Sequence, residues 1–236
     1  MDSRESAEDI ARTLNEMYAI AAMRLKNHGA FARMQAATNS KMSLINLLSN
    51  EAHPTQAIAD VLTIADEFAG GDVHGLKGLR VAYVGDATNV TRSLAVALLR
   101  LGVDVTVGAP DGYQLTPGGI ENPFAIEGKK AGELRLTSDA VEAVTGADVV
   151  YTDAWVSMGM EAETQTRRLD LADFKVTEEL LAHANAKAIL MHCLPAHRGD
   201  EITNEALDSE KSRVWQQVFH RRTAMLGVLR WIKGEK

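Results

Sequence analysis

The sequence predicts an α/β protein organised around a doubly wound parallel sheet. Three observations predict it. Between about residues 79 and 191, short apolar and β-branched runs alternate with helix-like stretches, the pattern of strands buried on both faces and joined by crossover helices. Glycines stand where helix-like stretches should stop, at Gly70-Gly71, Gly102 and Gly146. The chain has 236 residues, 46% of them hydrophobic, which suits one large α/β domain or two small ones around a sizeable core.

The elements follow in order. Ile10, Leu14, Met17, Ala21 and Leu25 share one face at helical spacing, so the chain should open with a helix running through them. Ser6 is its N-cap, with Asp9 as the acidic member of a capping box. A short helix at 30–34 and a strand at 42–47 come next. His53-Pro54-Thr55-Gln56 opens a helix carried by Ile58, Val61, Leu62, Ile64, Ala65 and Phe68 and stopped by Gly70-Gly71. Residues 71–78 form the best internal connector. The alternation then runs strand 79–84, helix 90–101, strand 103–107, helix 138–145, strand 147–151, helix 177–184 and strand 188–191. A last helix at 212–232 places Val214, Val218, Met225, Leu226 and Leu229 largely on one side.

Composition narrows the function. The net charge is −7 and no Lys/Arg block occurs, which argues against nucleic acid. A small anionic ligand stays compatible, because a local site can be basic on an acidic protein. Cys193 is the only cysteine, so no intrachain disulfide is expected and a reducing compartment fits. No apolar run approaches the ~20 residues that span a bilayer. The first residues lack the apolar stretch of a signal peptide. No membrane and a cytoplasmic location are therefore expected.

Ligands of open parallel sheets bind at the carboxyl ends of the strands. Here those ends carry polar groups: Gly85-Asp86-Ala87-Thr88-Asn89, then Thr152-Asp153, then His192-Cys193. If the strands are neighbours, Asn89, Asp153, His192 and Cys193 line one rim. Each residue also has an ordinary reading. Asp86 can cap the following helix, and Asn89 can serve a turn. Cys193 can be a buried small hydrophobe, and His53 a capping or surface histidine. His192 and His197 lack a third ligand nearby, so no metal is expected. No Gly-x-Gly-x-x-Gly or P-loop run supports a nucleotide.

Taken together, the pieces resemble the carbamoyltransferases. His53-Pro54-Thr55-Gln56 followed by Ala59-Asp60 is similar to the family's His-Pro-x-Gln helix. Asp153-Ala154-Trp155-Val156-Ser157-Met158-Gly159 resembles the Asp-x-Trp-x-Ser-Met-Gly signature of the ornithine branch. His192-Cys193-Leu194-Pro195-Ala196 resembles its other hallmark. Order and spacing agree over nearly the whole chain.

The resemblance implies two half-sites. Residues 1–70, joined by the helix at 212–236, would form a partial, incomplete N-terminal α/β carbamoyl phosphate domain, and residues 71–211 an ornithine-binding domain. Arg24, on an early helix, Arg221 on the last helix, and the pair His53 and Gln56 would hold carbamoyl phosphate. Arginine forks suit phosphate oxygens, and pre-aimed donors suit a carbonyl that becomes an oxyanion. Asn89, Asp153, Ser157 and Met158 would hold L-ornithine, with Cys193 and Leu194 beside the reacting δ-amine. The catalytic set is then Cys193, Asp153, His53 and Arg221, with no metal or organic cofactor. The polar stretch 160–171 resembles a mobile loop that closes over the amino acid. Homotrimers, or assemblies of trimers, are the implied oligomers.

The sequence also departs from the family. A Ser-Thr-Arg-Thr-Arg phosphate cradle precedes the family's early helix, and no such motif occurs here. The expectation is a chain without roughly the family's first quarter, with apolar surface left uncovered. Thr88 stands where asparagine is usual, Arg92 where a small or polar residue is usual, and Phe219-His220-Arg221 where Glu-Asn-Arg is usual. The alternatives are a shortened, non-catalytic paralogue that binds an amino acid or assembles with partners, and a carbamoyltransferase for another amine.

Overall fold

A computed structural model describes residues 4–38, 41–116, 131–156 and 159–234. Helix α1 (Ala7–Met17) is capped as its sequence indicates: the Ser6 hydroxyl accepts from the Asp9 backbone N–H at 3.1 Å. Asp9 does not close the box. Its carboxylate takes the Arg12 guanidinium at 2.8 Å instead. The predicted continuation of this helix to Leu25 is wrong. The chain turns extended at Tyr18, and strand β1 (Ile20–Arg24) pairs in parallel with β2 (Ser43–Leu48). Apolar residues at 17, 21 and 25 fit a helix and a short strand almost equally well. The pairing with a strand some twenty residues away decides between them, and local spacing does not carry that information. Helix α2 (Gly29–Ala37) packs Ala30 and Met34 against Ala7 and Ala11 of α1.

Helix α3 (Pro54–Ala69) begins with proline at its first position, where the missing N–H costs nothing, and ends at Gly70 in the left-handed region (φ 57). A short 3₁₀ turn, Val73–Leu76, occupies the predicted connector. The main sheet follows, with β3 (Arg80–Val84), α4 (Asn89–Arg100), β4 (Asp104–Gly108), β5 (Leu134–Thr137), α5 (Ala140–Val144), β6 (Val149–Thr152), α6 (Thr164–Asp170), α7 (Glu178–Leu181), β7 (Ile189–His192), α8 (Asn204–Leu207) and α9 (Val214–Ile232). All strand pairs are parallel and the order is β5-β4-β3-β6-β7. Alternate residues feed two cores. Val81 and Tyr83 face one with Leu94 and Leu98 of α4; Ala82 and Val84 face the other with Val150 and Leu190. The predicted doubly wound sheet is therefore present. The edge strand β5 and the helices α6 and α8 are additions.

The strand order reverses direction between β3 and β6, which makes the carboxyl ends of those strands the topological switch point. Helix α9 returns across α3, but not on the predicted face. Val214, Gln217, His220 and Ala224 are buried, while Val218 and Leu226 are 43% and 54% exposed. Polar partners choose the face. On α3, Glu67 takes Arg213 at 2.7 Å and Asp66 takes His220 at 3.0 Å. Trp215, Phe219 and Trp231 also lie exposed on α9. Among the described residues, no helix is long and apolar enough to cross a membrane.

Candidate active site

Three chain segments meet at the switch-point rim. Behind β6, Asp153 receives the Cys193 thiol at 2.9 Å and the Ala154 backbone N–H at 2.7 Å on the same oxygen. Burial raises the Asp153 carboxyl, and the bond from Cys193 opposes the rise. Burial pushes the Cys193 thiol well above its usual range, and the Asp153 charge pushes it further. A thiol held so firmly in its protonated form donates to the carboxylate and is a poor nucleophile. Iodoacetamide should accordingly modify Cys193 at pH 8 at least ~10-fold more slowly than it modifies glutathione; an equal rate would show a thiolate-competent cysteine.

His192 is buried and held from every side. Its backbone N–H donates to Gln217 Oε1 at 3.0 Å, Nδ1 accepts from the Leu194 backbone N–H at 2.9 Å, and Nε2 lies 3.1 Å from Glu201 Oε1. That pattern places the ring proton on Nε2. Leu194 itself sits at φ 58, a conformation rare for a branched side chain and typical of functional loops that the surroundings hold in place. The donor atoms of Asp153, His192 and Cys193 lie within 4.8 Å of one another. Both ring nitrogens of His192 are already engaged, so among the described residues only two ligands of this group remain, fewer than a zinc site uses.

Asn89 is the first residue of α4, and its amide donates to the Ser49 carbonyl at 2.6 Å. It thus ties the rim to the loop after β2 and does not serve a turn. Asp86 is not the cap either. Thr88 holds the N-cap position of α4, its backbone N–H donating to the Thr91 hydroxyl at 3.2 Å, and the Asp86 carboxylate binds Arg167 of α6 at 2.5 Å, both side chains nearly buried. Arg167 also bonds Glu163 and the Trp155 carbonyl. The stretch predicted as a mobile loop is thus folded as a 3₁₀ turn, Glu161–Glu163, and helix α6, latched onto the tip of β3. Replacing Arg167 with leucine would leave Asp86 without its cation. We expect a loss of about 3–5 kcal/mol in stability, read by urea denaturation; a change below ~1 kcal/mol would show the latch to be unimportant.

The second half-site lies between α3, α9 and the end of β1. His53 precedes α3, and its backbone N–H donates to the Ser93 hydroxyl at 2.8 Å. Its pKa is lowered to about 4, mainly by burial, then by the charges of Arg221 and Arg24. The imidazole is therefore neutral at physiological pH, and its buried Nδ1 has no partner. Gln56 accepts from Arg221 Nη1 at 2.7 Å. Arg24 is not on a helix, as the resemblance had implied. It ends β1, just past a register shift between Met23 and Arg24, and such irregularities re-aim side chains. Histidine, amide and two cations thus gather at one place. Ser157 and Met158 lie outside the described residues.

Sequence reasoning missed the parts that join the half-sites. Asp60 of α3, Gln217 of α9 and Tyr151 of β6 form a buried polar cluster. A faint signal existed, since Asp60 follows Gln56 by four positions, one helical turn, on a helix with both neighbours buried. Glu201 and Ser49 gave no comparable signal.

An open parallel sheet with a thiol–carboxylate pair at its switch point, faced by a neutral histidine, an amide and two arginines, has the architecture of a carbamoyltransferase. The family models agree. Residues 1–66 match the carbamoyl phosphate-binding domain of aspartate/ornithine carbamoyltransferase, and residues 77–232 match its aspartate/ornithine-binding domain. The chain belongs to the aspartate/ornithine carbamoyltransferase family. It is 41% identical to an ornithine carbamoyltransferase of Ignicoccus hospitalis over 229 residues, covering 95% of this chain and 71% of that protein. It is 39% identical to the anabolic ornithine carbamoyltransferase of Pyrococcus furiosus over 230 residues, covering 98% and 71%. The solved ornithine carbamoyltransferase structure from Pyrococcus furiosus superposes with a TM-score of 0.87 over 97% of this chain and 71% of that one. These relatives lend no support to a non-catalytic amino-acid binder.

Proposed function

We propose that the chain transfers the carbamoyl group of carbamoyl phosphate to the δ-amine of L-ornithine, giving citrulline and phosphate. The observation that carries this reading is the neutral His53, with an unpartnered buried ring nitrogen, set among Gln56, Arg221 and Arg24. Such a group suits a polar ligand that brings both a phosphate and a carbonyl. The arginines bind phosphate oxygens, and His53 meets the carbonyl oxygen, on which negative charge grows as the amine attacks. Residues 1–70 with the 212–236 helix would supply this half, and residues 71–211 the ornithine half.

On the other side, Asp153 pairs with the α-ammonium, and Asn89, with Ser157 and Met158, takes the rest of the amino-acid head group. Cys193 and Leu194 flank the δ-amine. The amine must first lose a proton, and desolvation in the cleft eases that loss. Its lone pair then attacks the carbamoyl carbon. The tetrahedral intermediate collapses by breaking the carbon–oxygen bond to phosphate, which leaves with the bonding pair. The amine proton passes to the Cys193–Asp153 pair, whose carboxylate has a raised proton affinity. Holding both substrates together is worth several kcal/mol of the barrier. Neither a metal nor an organic cofactor enters this scheme. A homotrimer is the proposed assembly, checked by mass in solution.

The test is citrulline formation from carbamoyl phosphate and L-ornithine by this chain, run beside a version extended with a Ser-Thr-Arg-Thr-Arg cradle. Citrulline from either supports the reading. No citrulline from both, with the proteins folded, overturns it.

A further inference from the structure

We propose that Asp60 is a positioning residue for the carbamoyl half-site: its carboxylate grips the amide nitrogens of Gln56 and Gln217, so that Gln56 turns its carbonyl oxygen toward a ligand. The proposal deepens the carbamoyl-transfer reading and rests on it. Asp60 is fully buried in α3. One carboxylate oxygen accepts from Gln56 Nε2 at 2.8 Å and from Gln217 Nε2 at 2.7 Å. The other accepts from the Tyr151 hydroxyl at 3.1 Å.

A glutamine amide has two orientations of nearly equal shape, and its neighbours choose between them. An ionised carboxylate only accepts, so both amides must turn nitrogen toward it. Their oxygens then point outward. That of Gln56 meets Arg221, and that of Gln217 meets the His192 backbone N–H. With its nitrogen tied, Gln56 can recognise a ligand that donates: the NH₂ of a carbamoyl group fits, and the methyl of an acetyl group does not. Gln217 in turn links the same carboxylate to the backbone N–H of His192.

The ionised form is the one that orients. Burial pushes Asp60 up to about 7, against the opposing pull of Gln56, Gln217, Tyr151 and Arg221. The titratable and charged groups facing it are Arg221 from α9, Tyr151 from β6 and Cys193 beyond β7. Once protonated, Asp60 can itself donate, and either amide is free to flip.

Two measurements on the full chain test this. The first needs no variant and no activity: side-chain amide exchange of Gln56 and Gln217, followed by NMR. Protection factors should be at least ~10-fold higher at pH 8.5 than at pH 6; equal protection overturns the proposal. The second compares Asp60→Ala and Asp60→Asn in citrulline formation, with melting curves to confirm folding. Asp60→Ala should raise KM for carbamoyl phosphate on the order of ten-fold, leave KM for ornithine within about two-fold, and lose much of the preference for carbamoyl phosphate over the competitor acetyl phosphate. Asp60→Asn keeps an oxygen that both amides can meet. It should regain most of that affinity, without the acid limb near pH 7 that the parent should show in kcat/KM for carbamoyl phosphate. A folded Asp60→Ala with unchanged KM and preference, or an acid limb that survives in Asp60→Asn, overturns the proposal. If the parent makes no citrulline while its glutamines show the pH-dependent protection, it is the assigned reaction that fails and not the orienting role of Asp60.

Discussion

Exchanging Arg221 for methionine is expected to lower kcat/KM for carbamoyl phosphate by about 10²–10³-fold, the scale seen when a pre-aimed polar group of an acyl-transfer site is removed. Arg221 bonds the Gln56 carbonyl oxygen at 2.7 Å and is one of the two charges that hold down His53. The same exchange should therefore move a second observable. The pKa of His53, now lowered to about 4 mainly by burial and next by Arg221, should rise toward the ordinary histidine value. It should rise only part of the way, because burial remains. NMR titration of the ring reads this directly. The sign carries over to stability. Unfolded His53 takes up its proton near pH 6.5 and folded His53 near 4, so the native state loses stability as pH falls through that window. Arg221→Met should soften this acid sensitivity. Activity lost with His53 unmoved would mean that Arg221 and His53 do not share a site.

Asp153→Asn should have an effect of similar size on the other substrate. The carboxylate at the tip of β6 is both the partner of the Cys193 thiol and the proposed anchor of the α-ammonium. Removing a buried, hydrogen-bonded charge partner costs a ligand about 2–5 kcal/mol, so kcat/KM for ornithine should fall by about 30- to 5,000-fold. KM for carbamoyl phosphate should stay within about two-fold, because its proposed contacts lie on α3, α9 and β1. The Cys193 thiol should also become easier to ionise, since the Asp153 charge helps hold its proton in place. Steady-state kinetics with each substrate varied separately checks the first claim. The pH dependence of alkylation checks the second. Equal loss on both substrates would point to a collapsed site and remove the assignment.

The strands of the large sheet other than β5 were legible because each holds a short run of apolar and β-branched residues. Val81 to Val84 and Ile189 to Met191 are buried on both faces, which leaves little alternation to misread. Gly70 announced the end of α3 for a local reason, the left-handed conformation it adopts. The rim residues Asn89, Asp153 and Cys193 were legible because parallel topology places strand ends side by side.

What failed depended on partners distant in sequence. Nothing near Ile20 says that it pairs with Ser43, so the 3.6-residue pattern of α1 seemed to run on. The exposed apolar residues of α9 looked like a core face until Asp60, Asp66 and Glu67 of α3 captured the polar side of that helix. Arg167 lies 81 positions from Asp86, and a charged stretch without its buried partner reads as a loop. In each case a polar contact across the fold outweighed a local preference. Buried polar groups are costly to leave unpaired, so they can dictate which face turns inward.

The two half-sites make one claim about the amine: its head group is held at the tip of β6 while its tail reaches Cys193. The rate of carbamoylation measured with L-ornithine and with 5-aminopentanoate, which has the same reacting amine and carboxylate but no α-ammonium, tests that claim most directly. The account predicts kcat/KM for ornithine to exceed that for 5-aminopentanoate by at least ~100-fold, the worth of one buried charged contact, and predicts that Asp153→Asn erases most of the gap. Equal rates for the two amines, or a gap that survives loss of Asp153, would contradict it.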